Sequence, residues 1–264
     1  MIHYVLILAA GKGTRLKNSQ TLKQFLTIND LPIIMHSVIA FKNADPNCRI
    51  YIGLPKNYTN YWKILCKKYN FHIDHTLYNG GKSRIKTVFN GLEKIYQDQE
   101  NSRKKSKLYQ SNNLNKKKIV SIHDSARPFI DKKLILALIK IASQKGIAIP
   151  VIKLKSSLRS INLQAPPLTF AKNRSHYVIT QTPQVFHFED IYESYVKINR
   201  ELSKYNNNQA IDDKYFFDDA GVYEYCNPKS IINLVDGREH NIKITTDLDY
   251  ILSPIIYDFV KKNR

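Results

Sequence analysis

Cysteine is scarce in this sequence and badly placed for chemistry: Cys48, Cys66 and Cys226 are scattered, odd in number and form no CxxC pair. That excludes a disulfide framework and a cysteine-based zinc site, leaving ordinary buried or half-buried thiols as the expectation. Long apolar runs are missing too. No stretch approaches the roughly 20 residues needed to span a membrane, and the opening MIHYVLILAA has neither a basic region before it nor a cleavage context. It reads as a first buried strand, so a cytoplasmic protein is expected. Acidic residues are outnumbered, 22 against 41 basic ones, for a formal charge of +19. Such an excess invites a nucleic-acid partner, yet no recognition motif accompanies it. Seven basic residues and no acid fall within 101–118 alone, which leaves +12 for everything else. No specific nucleic acid is expected; attraction for phosphorylated metabolites is.

What is present suffices for a globular enzyme. At 264 residues and 43% hydrophobic, the chain can bury a sizeable core. Tyr4–Leu8 is a continuous apolar run of the kind buried on both faces of a sheet. Helical spacing follows in 32–44 and 58–69, with "RIYIGL" between them as a strand and "FHIDHTLY" as another. The spacing of Val88, Leu92 and Ile95 predicts a helix from Ser83 to about Tyr96. The basic segment 101–118 lacks any apolar period and reads as a solvated surface insertion. "KIVSIHD", a helix over 132–145 and "GIAIPVI" resume the alternation. Strands alternating with 10–15-residue helices predict an α/β fold, a mostly parallel sheet with helices on both faces. The rhythm lapses from 153 to about 178, two extended pieces joined by a Pro-Pro turn that read as a projecting β-arm. Helical character returns over 188–202, a strand is expected near 231–235, and Asp247 stands where it could start the last helix. No linker divides the chain, so one domain, 1–264, is expected.

The first loop, G-K-G-T-R-L after the strand, lacks the third glycine of a dinucleotide fingerprint and the Gly-Lys-Ser/Thr of a P-loop. Its small residues let backbone N–H groups approach phosphate, and Arg15 with Lys23 supply fixed positive charge. A plain turn with surface cations is the alternative. Three further features bear on the choice. "GGKSR" (80–84) opens a helix whose N-terminus attracts anions. "HDSARP" places Asp124 at the carboxyl end of a buried strand, where it holds Mg²⁺ through oxygen or caps the following turn. Lys243 sits inside an apolar strand, either snorkelling or serving a phosphate.

Together "LAAGKGTR", "KQF", "GGKSR", "HDSARPFI", "RSHYVITQTPQVF", "DDA" and "NIKITT" resemble, in order and approximate spacing, the 2-C-methyl-D-erythritol 4-phosphate cytidylyltransferases. Ribitol-5-phosphate cytidylyltransferases share most of the set. The resemblance implies a Rossmann-like nucleotidyltransferase fold and transfer of CMP from CTP to the methylerythritol phosphate. It implies that Arg15 and Lys23 stabilise the transition state, and that Lys243 and Arg174 position the attacking phosphate. Ala9, Ala10, Gly11 and Gly13 would contact CTP, Gly81 and Thr87 would lie near the base, and Asp124 would favour Mg²⁺. It also makes 153–176 a dimerisation arm that carries Ser157, Arg159 and Arg174 to the partner's site in a homodimer. Leu22, Ser125, Ser156 and His240 depart from that pattern, which usually has Pro, Ala, Asp and an acid there. A rival of another class is a basic nucleic-acid-binding protein on a degraded enzyme scaffold.

Overall fold

The computed structural model describes residues 1–11, 21–105, 116–162, 168–204 and 216–262. The unbroken apolar run at the N-terminus becomes β1 (Ile2–Leu8), flanked in parallel by β4 (Arg49–Leu54) and β6 (Lys118–Asp124). Beyond β4 lies β5 (Thr76–Asn79), again parallel. On the far side of β6 come β11 (Gln184–His187), β7 (Ile147–Lys153) and β10 (Val178–Thr180), joined by antiparallel pairings. A twelfth strand, β12 (Asn233–Asp236), pairs parallel with β7. The sheet is therefore mostly parallel, with an antiparallel inset supplied by 178–187. A small hairpin, β2 (Thr27–Ile28) with β3 (Leu31–Pro32), stands apart from it.

Seven helices clothe this sheet: α1 (Ile33–Ala44), α2 (Thr59–Lys68), α3 (Arg84–Lys105), α4 (Lys132–Lys145), α5 (Phe188–Lys204), α6 (Asp219–Cys226) and α7 (Asp247–Lys262), counted among the described residues. The two-residue period of β1 feeds two cores. Val5 and Ile7 enter a layer with Val38, Phe41, Leu134 and Leu138 from α1 and α4. Tyr4 and Leu6 enter the opposite layer with Val88, Leu92 and Tyr195 from α3 and α5. A strand buried on both faces needs apolar residues at nearly every position, and β1 has them except at His3, which is buried and hydrogen-bonded to Asp45 and Ser121.

Several elements differ from their sequence-based outlines. Helix α3 runs on to Lys105, well past Tyr96, so the insertion begins inside a helix; 106–115 lie outside the described residues. Its apolar stripe ends at Ile95, but Lys94–Asp98 and Glu100–Arg103 ion pairs at helical spacing continue it. Strand β5 is only four residues long because His75 turns aside, accepting a hydrogen bond from Trp62 Nε1 at 2.8 Å. Helix α6 went unforeseen. The start of α7 has Asp247 in its first turn, as expected, and adds a reciprocal cap: Thr246 Oγ1 accepts from Asp249 N, while Asp249 Oδ2 accepts from Thr246 N. The arm is a pair of antiparallel strands, β8 (Leu158–Asn162) with β9 (Leu168–Lys172), separate from the main sheet; the expected Pro-Pro turn lies outside the described residues.

Helix α3 approaches the sheet closely at one point. The tip of the Tyr78 ring lies between Gly53 of β4 and Gly91 of α3, and a Cβ on either glycine would come within 2.6 or 2.8 Å of it. Moving the ring away from one glycine drives it into the other. Gly91→Ala should therefore destabilise by about 1–3 kcal/mol in urea denaturation, despite a gain of about 1 kcal/mol in helix propensity. Tyr78→Phe removes a buried hydroxyl with no partner among the described residues. It should be neutral or stabilising by about 1 kcal/mol, and should recover part of the Gly91→Ala loss. A Gly91→Ala protein more stable than its parent would show that the ring has room to move.

Candidate functional site

Parallel register aligns Leu8 with Asp124 at the carboxyl ends of β1 and β6, so the loops that follow leave the sheet side by side. Open α/β sheets place their ligands at this edge. Here a cavity of about 520 Å³ is lined by Ala10, Gly11, Lys23, Gln24, Gly81, Lys82, Ser83, Arg84, Thr87, Asp124, Ser125 and Lys243, among others. Four of these are cations and one is a carboxylate. A second cavity of about 700 Å³ shares Ala10, Gly81, Lys82 and Ser83 and extends over Pro55, Ile85 and Leu202.

Local chemistry explains how each wall is held. Gln24 is buried and donates through Nε2 to the Ala9 carbonyl at 2.7 Å and to the Gly11 carbonyl at 3.3 Å. This ties the 3₁₀ turn Lys23–Phe25 to the first loop and sets Lys23 at the cavity. Gly80 passes so close to Ala10 that an added Cβ would lie 2.2 Å from the alanine Cβ. The next residue, Gly81, donates its N–H to Thr87 Oγ1 at 3.0 Å, bending the loop over the start of α3. The segment bearing Lys243 is irregular and not the strand expected; Ile244 N donates to the Ala126 carbonyl at 2.8 Å, which lays it against the loop after Asp124.

Asp124 is the electrostatic centre. Its Oδ2 is 2.8 Å from Lys243 Nζ and 3.9 Å from Arg127 Nε, while Oδ1 faces Arg84 Nε at 3.6 Å. Burial alone would raise its pKa; Lys243, Arg84 and Arg127 outweigh burial and hold it well below the usual carboxylate range. Arg84 is itself clamped, its two terminal nitrogens donating to both oxygens of Asp219 at 2.9 and 2.7 Å. Asp219 is fully buried and also accepts from the Tyr195 hydroxyl at 2.6 Å.

A neutral imidazole braces this centre from behind. His123 Nε2 faces the Arg127 carbonyl at 3.1 Å, which can only accept, so Nε2 carries the proton and Nδ1 accepts from the Thr182 hydroxyl. Thr182 Oγ1 in turn accepts from the Asp124 N–H at 3.1 Å. Burial pushes His123 down to about 4.

The structure brings together seven of the residues singled out in the sequence: Ala10, Gly11, Lys23, Gly81, Thr87, Asp124 and Lys243. Ala9 stands behind them, buried, donating its N–H to the Gly53 carbonyl. Gly13 and Arg15 lie outside the described residues. Ser157, Arg159 and Arg174 are exposed on and beside the arm and do not line this cavity. Arg159 bonds across the hairpin to Thr169, and Arg174 donates to the Lys155 carbonyl. The Asp124 side chain faces cations and does not cap the turn. No group of three or more His, Cys, Asp or Glu suited to a metal occurs among the described residues. Asp124 is the one carboxylate among the described residues that line the cavity. Arg84, Asp219, Gln24 and Thr182 escaped the sequence reading of roles, although each lies within a quoted motif.

Comparison with known proteins adds a family. The model of the 2-C-methyl-D-erythritol 4-phosphate cytidylyltransferases matches residues 3–258. Similar curated proteins of that name include one from Azobacteroides pseudotrichonymphae, 33% identical over 97% of this chain and 98% of the relative. Another, from Bacteroides thetaiotaomicron, is 31% identical over 93% and 94%. Among solved structures, the 4-diphosphocytidyl-2C-methyl-D-erythritol synthase of Anaerococcus prevotii superposes with a TM-score of 0.72 at 20% identity, covering 97% of this chain and 96% of the other. The 2-C-methyl-D-erythritol 4-phosphate cytidylyltransferase of Thermus thermophilus gives 0.69 at 21%, covering 98% and 100%. The α/β nucleotidyltransferase fold is shared with both.

The His123 brace makes stability depend on pH in a defined window. The folded protein keeps this imidazole neutral down to about pH 4, whereas the unfolded one takes its proton near the ordinary value of 6.5. Between those limits the unfolded state binds more protons, so stability falls as pH falls. Going from pH 7 to pH 5 should cost about 2 kcal/mol through this residue. His75, also lowered by burial, adds to the slope with the same sign. The difference in denaturation midpoints between wild type and His123→Gln, followed across pH 7 to 5, isolates the His123 share. A slope unchanged by the substitution would assign the loss elsewhere.

Proposed function

The chain belongs to the 2-C-methyl-D-erythritol 4-phosphate cytidylyltransferase family, and from that premise we propose that it transfers CMP from CTP to 2-C-methyl-D-erythritol 4-phosphate, a step of isoprenoid precursor synthesis. The observation that carries the reading is the cavity itself: Lys23, Lys82, Arg84 and Lys243 around a single carboxylate at the carboxyl edge of the sheet. That charge balance suits a triphosphate meeting a second phosphate. An oxygen of the acceptor phosphate attacks the α-phosphorus, the bond to the bridging oxygen breaks, and pyrophosphate leaves. Such a transfer needs positioning and charge neutralisation more than covalent help from the protein.

Lys23, with Arg15, neutralises charge growing on the α-phosphate and the leaving pyrophosphate. CTP would contact the backbone of 9–13, and the adjoining cavity floored by Ile85, Pro55 and Leu202 suits the base and ribose beside Gly81, with Thr87 on the wall of the first cavity. Lys243 keeps one ammonium proton on Asp124 and has two left for the acceptor phosphate. A magnesium ion would share Asp124 with the phosphate oxygens and reduce their mutual repulsion. The whole chain is read as one nucleotidyltransferase domain acting in the cytoplasm; no helix among the described residues is long and apolar enough to cross a membrane.

A homodimer completes the proposed site. An isolated two-stranded hairpin is marginal in water, and this one exposes Ile161, Leu168 and Phe170, with Tyr177, Val178 and Ile179 beyond it. A second copy covering that surface would receive Arg174, together with Ser157 and Arg159, from its partner. The exposure of all three residues away from their own cavity supports this assignment.

Pyrophosphate release with CTP, magnesium and either 2-C-methyl-D-erythritol 4-phosphate or ribitol 5-phosphate tests the reaction. Release with the first acceptor is expected; release only with the second would overturn the substrate. Lys23→Ala should cut kcat on the order of 10²-fold or more, with little change in acceptor KM.

Mixing the Lys23→Ala and Arg174→Ala proteins tests the shared site. Random pairing gives about half heterodimers, each with one intact site, so about a quarter of wild-type activity should return. Verified heterodimers without recovered activity would place Arg174 in its own subunit's site.

A further inference from the structure

We propose that Asp219, sealed from solvent behind the cavity, is a positioning residue for the acceptor half of the transfer: by occupying the fork of Arg84 it keeps Asp124 available to Lys243. The inference rests on the proposed reaction, in which Lys243 meets the acceptor phosphate.

The geometry divides the guanidinium between two carboxylates unequally. Each terminal nitrogen gives a hydrogen bond to Asp219, at 2.9 and 2.7 Å, and the nitrogen nearest Asp124 is Nε, at 3.6 Å, an ion pair beyond hydrogen-bond reach. Asp124 therefore keeps its other oxygen for Lys243 at 2.8 Å. A guanidinium with a vacant fork binds a carboxylate through both oxygens, which is the stronger arrangement. Without the Asp219 charge, Arg84 would turn onto Asp124 in that way and compete with Lys243.

Asp219 is itself fixed from three directions. It opens α6, where the helix dipole favours an acid. Asp218 caps the same helix through Gly221 N, and Gln184 pins it to β11 by bonding Asp218 Oδ2 and the Ala220 N–H, each at 2.9 Å. The Tyr195 hydroxyl holds Oδ1 from α5 at 2.6 Å. Asp219 reaches no substrate; it acts on Lys243 through Arg84 and Asp124.

A purely structural ion pair makes different predictions. Asp219→Asn should raise acceptor KM about tenfold or more while leaving CTP KM within about twofold. Tyr195→Phe should lower thermal stability yet leave acceptor KM within about twofold, because the Arg84–Asp219 fork survives. The double variant Arg84→Gln/Asp219→Asn carries no unpaired buried charge, so its stability should return toward wild type. Its acceptor KM should also fall back toward the wild-type value, because the guanidinium that competes with Lys243 for Asp124 is gone. An acceptor KM that stays raised in the double variant, or an equal rise in CTP KM in Asp219→Asn, would overturn the proposal.

A crystal structure of Asp219→Asn gives a readout independent of activity. Arg84 bound to both oxygens of Asp124, with Lys243 displaced, is expected; an unchanged Asp124–Lys243 pair would overturn the proposal. Failure of the wild-type protein to use the acceptor would instead sink the proposed reaction, and that structure would still decide the positioning role.

Discussion

Lys243, Asp124, Arg84 and Asp219 form a chain of alternating charge that crosses the molecule at the carboxyl edge of its sheet, and the rest of the site depends on it. The four side chains come from four places: the segment before α7, the end of β6, the start of α3 and the start of α6. Two of them are carboxylates with almost no access to water. A buried charge costs several kcal/mol unless its partner is well placed, and removing one member of such a pair is typically worth 3–5 kcal/mol. Each link thus constrains the position of the element that bears it. Motifs far apart in the sequence become one object, which is why "GGKSR", "HDSARP", "DDA" and "NIKITT" occur together.

Neutral hydrogen bonds complete what the charges begin. The segment 181–184 runs behind Asp124 and touches nearly every wall. Gln181 Nε2 donates to the Arg238 carbonyl at 2.8 Å, Thr182 accepts from the Asp124 N–H, and Gln184 holds the start of α6. Asn241 closes the ring by donating through Nδ2 to the Thr182 carbonyl at 2.9 Å. These are polar groups in a buried environment, where an unsatisfied partner costs more than a made bond contributes. "TQTPQ" is accordingly a scaffold motif.

The sequence made the sheet legible because its central strands are apolar at consecutive positions and its helices repeat at 3.6. Asp124 and Lys243 stood out because a charged residue at the end of, or inside, an apolar run demands a reason, and Lys23 because it follows the glycine loop as a second fixed charge. Arg84 and Asp219 have long-range partners, 135 residues apart, and nothing local marks them as a pair. The available signal was weak: two adjacent acids before a short apolar stretch, the pattern of a helix start. Helix α6 itself was missed because eight residues with Ala220 and Val222 as their buried apolar members give almost no period. The far end of α3 was missed for the opposite reason, since ion pairs and not apolar residues carry it. The roles of Gly13 and Arg15 rest on motif alone.

The departures from the family pattern show how a lysine-rich, acid-poor chain keeps its lysine in place. Where an acid is usual before "NIK", His240 lies 3.5 Å from Asp131, which also takes Arg238 Nε at 3.0 Å and caps α4 through the Leu134 N–H at 2.8 Å. Burial opposes ionisation of Asp131, but His240, that backbone N–H and Arg238 bring it down to about 2. The acid is therefore supplied from the start of α4, and Arg238 and His240 come from the segment it anchors. That anchor fixes 238–240 on one side of Lys243, and the Ile244 N–H on the Ala126 carbonyl fixes the other. A four-carbon side chain held at both flanks of its backbone has little left to order except its own rotamers. The ammonium is thus presented to the cavity by backbone geometry, and Asp124 has only to choose its direction.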